Sequence, residues 1–168
     1  DVDGFDAQHK TGILASLAHG FWVKPEKVYT EGIRYVAPLD LEFAGKLGHA
    51  IKLLGIVKTS KTGPVQVTMF PALIPNDHVL ANVSDVYNGI LVRGDVVGDT
   101  LYYGQGAGQD ATASAVLRDI GDAVLDLAHG TTERMKAFNS HEANGAVRPI
   151  DEVTSCYYLR LTVLDRPG

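Results

Sequence analysis

The sequence predicts an α+β fold, a two-layer arrangement in which a mostly antiparallel or mixed sheet packs against helices. Two observations carry this. Strand-like runs come as adjacent hairpin pairs, and helices precede and follow those pairs instead of alternating with single strands, which argues against a doubly wound nucleotide-binding sheet. Composition agrees: 168 residues at 45% hydrophobic and 21% charged support a single sizeable core and exclude intrinsic disorder.

Taken in order, residues 6 to about 20 have helical period, with Ile13, Leu14, Leu17 and Phe21 on one arc and Asp6 as N-cap or first-turn acid. A second short helix is expected from Asp40 to Leu47, with Asp40 as its cap and Gly48 as its stop. Ile51 to Lys58 and Val65 to Phe70 read as a hairpin around Ser60–Gly63, and Pro71 and Pro75 bracket a rigid loop. Tyr87 to Arg93 and Val96 to Tyr103 form a second hairpin turning at Gly94-Asp95. The longest helix is expected from Asp110 to His129, since Ala113, Val116, Leu117, Ile120, Val124 and Leu127 share a face and Gly130 fits the stop. Thr131 to Thr154 is a polar, irregular connection, and Tyr157 to Leu164 reads as a strand leading into the turn Asp165–Gly168. The opening at Asp1, without a methionine or a basic-then-apolar leader, reads as a cut through a longer chain.

Several function classes drop out early. No apolar run approaches the ~18 residues of a membrane span, and a net charge of −5 exerts no pull toward nucleic acid or anionic lipid. One cysteine, Cys156, excludes an internal disulfide framework and suits a reducing cytoplasm. The six histidines show no metal-ligand spacing, so no metal site is expected.

Two places attract attention as chemistry. On the first helix Lys10 falls near the centre of the apolar arc, with Asp6 one turn earlier on the same side. A lysine is seldom buried without a partner. An inward Asp/Lys pair at this spacing is either a structural ion pair, which pattern alone favours, or the floor of a polar pocket. The second place is Gly104-Gln105-Gly106-Ala107-Gly108, between a predicted strand and a predicted helix. Its spacing departs from a dinucleotide fingerprint, so pattern alone favours a tight turn. Exposed amides at the following helix N-terminus would otherwise suit a polar or anionic group.

The residues from Asp1 through Lys10, Asp1-Val2-Asp3-Gly4-Phe5-Asp6-Ala7-Gln8-His9-Lys10, resemble the D-(aliphatic)-x-G-x-D-x-x-x-K end of the homoserine dehydrogenase signature. Ile51–Ile56, Pro71–His78, Tyr103–Gly108 and Thr112–Val116 resemble that family's substrate domain in order and spacing. Tyr157–Gly168 is similar to the opening strand and turn of an ACT regulatory domain.

The resemblance implies an oxidoreductase that interconverts L-homoserine and L-aspartate semialdehyde with NAD or NADP, on the way to threonine, methionine and isoleucine. It implies Lys10 as the catalytic lysine, Asp6 and Asp1 as substrate-binding acids, and Gly106, Ala107 and Gly108 as the cofactor-side loop. An ammonium facing a developing alkoxide stabilises it and can supply the proton, and burial would move its pKa toward the working range. The implied organisation is a substrate, catalytic and dimerisation domain over 1–135, a linker over 136–156 and the first ACT strand over 157–168. Implied partners are a second copy in a homodimer and threonine as an effector. The family's nucleotide-binding domain, with a second active-site lysine, a substrate-binding glutamate and sodium ligands, is expected upstream of Asp1, so the fragment alone should be inactive. Two alternatives stand beside this reading: a non-catalytic dimerisation and regulatory module, and a related two-domain dehydrogenase or reductase.

Overall fold

A computed structural model describes residues 2–59, 63–131 and 145–164. It resolves into two compact units, one holding residues 2–75 and 145–164, the other 76–131. Asp1, the turn residues 60–62, 132–144 and the Asp165–Gly168 turn lie outside the described residues.

In the first unit, helix α1 spans Phe5–His19, strand β1 Tyr29–Thr30, helix α2 Pro38–Lys46, strand β2 His49–Lys58 and strand β3 Gln66–Pro75. The sheet order is β1-β3-β2, with β1 parallel to β3 and β2 antiparallel to it from His49↔Pro75 through Lys58↔Gln66. The fold is α+β, as predicted, and the first hairpin forms.

β3 runs five residues further than the second strand of the expected hairpin, because Pro71–Pro75 continues the ladder with β2 in place of the predicted loop. Proline is tolerated there because β1 pairs only with Thr68 and Met69, so the edge of β3 beyond Met69 has no ladder bond for a missing N–H to break.

The core cluster is Ala15, Phe21, Val23, Val28, Val65 and Val67, with Val57 and Val147 packed against it. α1 meets the sheet through small and polar residues, Gln8, Thr11, Gly12, Ala15 and Ser16, and the Ser16 hydroxyl is satisfied by donating to Gly12 O at 2.7 Å and accepting from Val23 N at 2.9 Å. This inverts the predicted orientation of α1. Ile13 (49%), Leu14 (41%) and Leu17 (42%) are exposed, and of the predicted arc only Phe21, beyond the helix, is buried. Periodicity identified a face, but the close approach of backbone to backbone selected the small-residue side.

α2 starts two residues earlier than predicted, with Ala37 as N-cap and Pro38 in the first turn. Asp40 is the third helical residue and not the cap, yet its Oδ2 accepts the Ala37 N–H at 2.8 Å, the acidic half of a capping box. Leu47 closes the helix, followed by Gly48 at φ +73.

The C-terminal region also departs from expectation. Within the predicted irregular connection, Val147 bridges Val65, with Val65 N–H donating to Ala146 O and Arg148 N–H to Val65 O, and Ile150–Glu152 forms a 3-10 turn. Tyr157 to Leu164, predicted as a strand, pairs with no strand among the described residues. A strand needs a partner for its ladder, and alternation alone does not supply one. Tyr158 and Arg160, two residues apart as an extended segment would place them, both reach Asp40, while Tyr157, Leu159, Leu161 and Val163 are exposed.

The second unit holds strand β4 Tyr87–Gly94, strand β5 Gly98–Gln105 and helix α3 Gln109–His129. β4 and β5 pair antiparallel from Tyr87↔Gln105 to Gly94↔Gly98, so the turn takes in Val96 and Val97, both predicted to be strand. Gly98 sits at φ +74, a conformation that closes a three-residue turn and that valine disfavours. Arg93 grips Asp99 across the turn with Nε–Oδ1 2.6 Å and Nη2–Oδ2 2.8 Å. α3 matches its predicted span to one residue and ends at Gly130, φ +64. Its apolar face, Val116, Leu117, Ile120, Val124 and Leu127, is exposed among the described residues.

Candidate active site

The segment that enters α1 is clamped before the helix begins. Gly4, the N-cap, adopts φ +80, which turns the chain from the preceding loop into the helix. Ile33 N–H donates to Val2 O at 2.8 Å, and the Arg34 guanidinium holds Asp3 in a fork, Nε–Oδ1 2.9 Å and Nη2–Oδ2 2.8 Å. The Arg34 hydrogen bond and charge hold the Asp3 carboxyl below the usual range. Gly32 permits the approach, since a Cβ there would collide with Val2 O and lie 2.6 Å from Asp3 Cα.

One turn later Asp6 and Lys10 meet, Nζ to Oδ2 at 2.7 Å, as the i,i+4 geometry of a helix dictates. The Lys10 hydrogen bond is the largest influence and lowers the Asp6 pKa; desolvation opposes it, and the Lys10 charge adds a smaller lowering. Asp6 also lies in the first turn, where the helix dipole favours a carboxylate. Both side chains are outward and about two-thirds exposed, at 63% and 64%. The inward pair expected from the sequence is thus corrected: it forms, but on the same face as the exposed Ile13, Leu14 and Leu17. The burial expected around the ammonium is not provided by the described residues. Asp1 lies outside them.

The glycine loop belongs to the other unit. Gly106 N–H donates to Val86 O at 3.1 Å, and Gly106 is pressed against Asn88 so closely that a Cβ would overlap the amide. Gly108, at φ +118, is the N-cap of α3 and accepts from Thr112 N at 3.1 Å and Thr112 Oγ1 at 3.0 Å. No side chain caps this helix N-terminus, and the space a Cβ at Gly108 would fill is open. That is the geometry a glycine needs if a polar or anionic ligand is to approach the backbone. Of the three residues expected on the cofactor side, Gly108 stands at this open helix N-terminus, while Gly106 packs against Asn88. Among the described residues no group of three His, Cys, Asp or Glu is arranged to hold a metal ion, and no helix is long and apolar enough to cross a membrane.

Sequence reasoning missed Gly32, Arg34 and Asp3. The Arg34–Asp3 fork joins residues 31 apart and leaves no local pattern. It also assigned Asp40 only a capping role. Asp40 accepts from Arg160 Nε at 2.6 Å, Tyr158 OH at 3.0 Å and Ala37 N at 2.8 Å, with its side chain 11% exposed. Arg160 first, and the Ala37 N–H second, depress its pKa.

A group whose folded pKa is depressed stabilises its contacts above the unfolded value of about 3.9 and loses them as pH falls through the lower folded value. Docking of Tyr158 and Arg160 on Asp40 is accordingly expected to be complete at neutral pH and to survive below pH ~3.9. Tyr158 ring resonances followed by NMR during acid titration check this. Release already above pH ~4.5 would contradict it, and Asp40→Asn should remove the transition.

Comparison with known proteins places these features. The family model described as homoserine dehydrogenase matches residues 1–120. The homoserine dehydrogenase of Pseudomonas aeruginosa is 42% identical over 171 residues, covering 100% of this chain and 39% of that protein, and the Helicobacter pylori enzyme is 42% identical over 168 residues, covering 100% and 38%. A homoserine dehydrogenase structure from Thiobacillus denitrificans superposes with a TM-score of 0.83 at 38% identity, over 91% of this chain and 36% of that one. A hyperthermophilic archaeal homoserine dehydrogenase mutant in complex with NADPH gives 0.57 at 29% identity, over 75% and 34%.

The class so defined is an α+β fold shared with part of a dehydrogenase structure, carrying an Asp/Lys pair on its first helix. The chain belongs to the homoserine dehydrogenase family. It spans about 39% of the length of the curated relatives it matches.

Proposed function

We propose that this chain supplies the substrate-binding and proton-handling part of an NAD(P)-dependent oxidoreductase that interconverts L-homoserine and L-aspartate semialdehyde in threonine, methionine and isoleucine biosynthesis. The observation that carries it is the 2.7 Å Asp6–Lys10 pair, exposed at the family's motif position on a helix whose entry is clamped by Arg34. Because the pair is not buried, it adds little to stability. Exposed i,i+4 ion pairs contribute little, and an outward ammonium is available to a substrate.

In this reading Lys10 Nζ exchanges the proton of the substrate's oxygen. In the reducing direction the ammonium stabilises the developing alkoxide and protonates it; in the oxidising direction the amine removes the hydroxyl proton. Asp6, one turn away, takes the substrate's ammonium end and orients Lys10, and Asp1 is a further substrate-side acid. Bound NAD or NADP supplies the hydride acceptor or donor, and Gly106, Ala107 and Gly108 are the residues of this chain that would lie against it. Residues 1–135 form the substrate and dimerisation domain, 136–156 the linker and 157–168 the opening of an ACT domain with threonine as effector. The whole protein works as a homodimer or larger assembly in the cytoplasm.

The test compares the full-length parent with the isolated 168-residue chain in homoserine-dependent reduction of NAD(P)+. Turnover by the parent and none by the isolated chain is expected. A parent inactive with homoserine, but active on another hydroxy or oxo acid, would instead favour a related two-domain dehydrogenase.

A further inference from the structure

We infer that Gly55 is a positioning residue for Lys10: its missing side chain is the notch that sets how deeply α1 sits on the sheet. The inference rests on the proposed role of Lys10. α1 presents Thr11 to the sheet, and β2 places Gly55 opposite it. A Cβ at position 55 would overlap Thr11 Oγ1 and lie 3.0 Å from both Thr11 Cβ and Cγ2.

Neither side can give way cheaply. The Thr11 hydroxyl donates to Ala7 O at 2.8 Å and is packed at 7% exposure, while Gly55 pairs with Met69 in the middle of a ten-residue ladder. Tethers on both sides of Thr11 hold the helix in place: the Gln8 amide donates to Pro25 O at 2.9 Å and Val28 O at 3.2 Å, and Ser16 is tied to Val23. Side-chain atoms at position 55 therefore lift α1 at Thr11 without detaching it, and Lys10 is the adjacent residue. Its Nζ is held by the bond to Asp6 on the same helix, so the pair shifts as a unit out of its reacting position. A displacement of about 1 Å at a reacting group lowers rates by up to ~100-fold.

The test uses the full-length enzyme as wild type, Gly55→Ala and Gly55→Ala/Thr11→Ala. The double variant removes Oγ1 and Cγ2 and leaves a Cβ–Cβ approach that a shift of a few tenths of an ångström relieves. Two readouts are taken: kcat and KM for homoserine, and the rate at which Lys10 is acylated by succinimidyl acetate relative to Lys46, by mass spectrometry. Lys46 forms a comparable i,i+4 pair with Glu42 on α2.

Folded Gly55→Ala is expected to lose ~10- to 100-fold in kcat with KM changed less than about threefold, and to shift the Lys10/Lys46 acylation ratio. The double variant is expected to restore both readouts to within about threefold. Unchanged kcat and an unchanged ratio in folded Gly55→Ala would overturn the inference, as would a double variant no better than the single one. Should Gly55→Ala fail to fold, the inference requires the double variant to recover fold, ratio and turnover together. A wild type that does not turn over homoserine contradicts the proposed function, and the acylation ratio then decides the role of Gly55 by itself.

Discussion

Lys10→Ala in the full-length enzyme is expected to lower homoserine-dependent reduction of NAD(P)+ by at least ~100-fold, the scale of a lost proton-transfer and charge-stabilising group. Its folded state should be almost untouched. Lys10 is 64% exposed and pairs with the equally exposed Asp6, so removing it leaves no buried charge uncompensated, and Tm should move by no more than about 2 °C. That separation between activity and stability distinguishes the catalytic reading from a scaffold role, in which turnover would be insensitive to the change. Activity assays beside thermal denaturation on one preparation read both. Wild-type turnover in Lys10→Ala would return the Asp6–Lys10 pair to the structural role that the bare i,i+4 pattern favours.

Gly32→Ala is expected to damage both properties. The added Cβ meets backbone, not a flexible side chain: Val2 O, Asp3 Cα at 2.6 Å and Asp3 C at 2.7 Å. The same two residues are held by Ile33 N–H and the Arg34 fork, so relief of the clash means giving up those bonds. Forcing a methyl into such a contact costs about 1–3 kcal/mol, equivalent to a fall in Tm of several degrees. Since Val2–Gly4 leads directly into the helix bearing Asp6 and Lys10, kcat/KM is expected to drop by ~10-fold or more. Gly45→Ala is the control. Gly45 is exposed within α2, a Cβ there meets nothing within 4 Å, and the change should stabilise by about 0.5–1 kcal/mol with activity unaltered. Wild-type Tm and kcat/KM in Gly32→Ala would contradict the clamp.

Much of the architecture was legible because it is local. Asp6 in the first turn of α1, Gly130 ending α3 and the alternation of Val67 and Met69 along β3 each depend on neighbours within a turn or a strand. The Asp6–Lys10 pair was legible for the same reason, through the D-x-x-x-K spacing. Features that depend on distant partners were not. Which face of α1 is buried was decided by Gly55 and the sheet, and large apolar side chains on the opposite arc misled the helical wheel. Pro71 and Pro75 looked like loop punctuation because nothing local reveals that β1 ends beside Met69. Tyr157–Leu164 carries strand composition but pairs with no strand among the described residues, and Asp40 joins a local capping bond to contacts with residues more than a hundred positions away.

The central claim is that the Lys10 amine itself handles the proton of the substrate's oxygen, and chemical rescue tests it most directly. Full-length Lys10→Ala is assayed for homoserine-dependent reduction of NAD(P)+ with a series of small primary amines added. The account predicts a crippled variant whose rate rises with amine concentration and follows the basicity of the amine, with no such response in the wild type. Full turnover without any amine, or a crippled variant that no amine of any basicity or size restores, would contradict it.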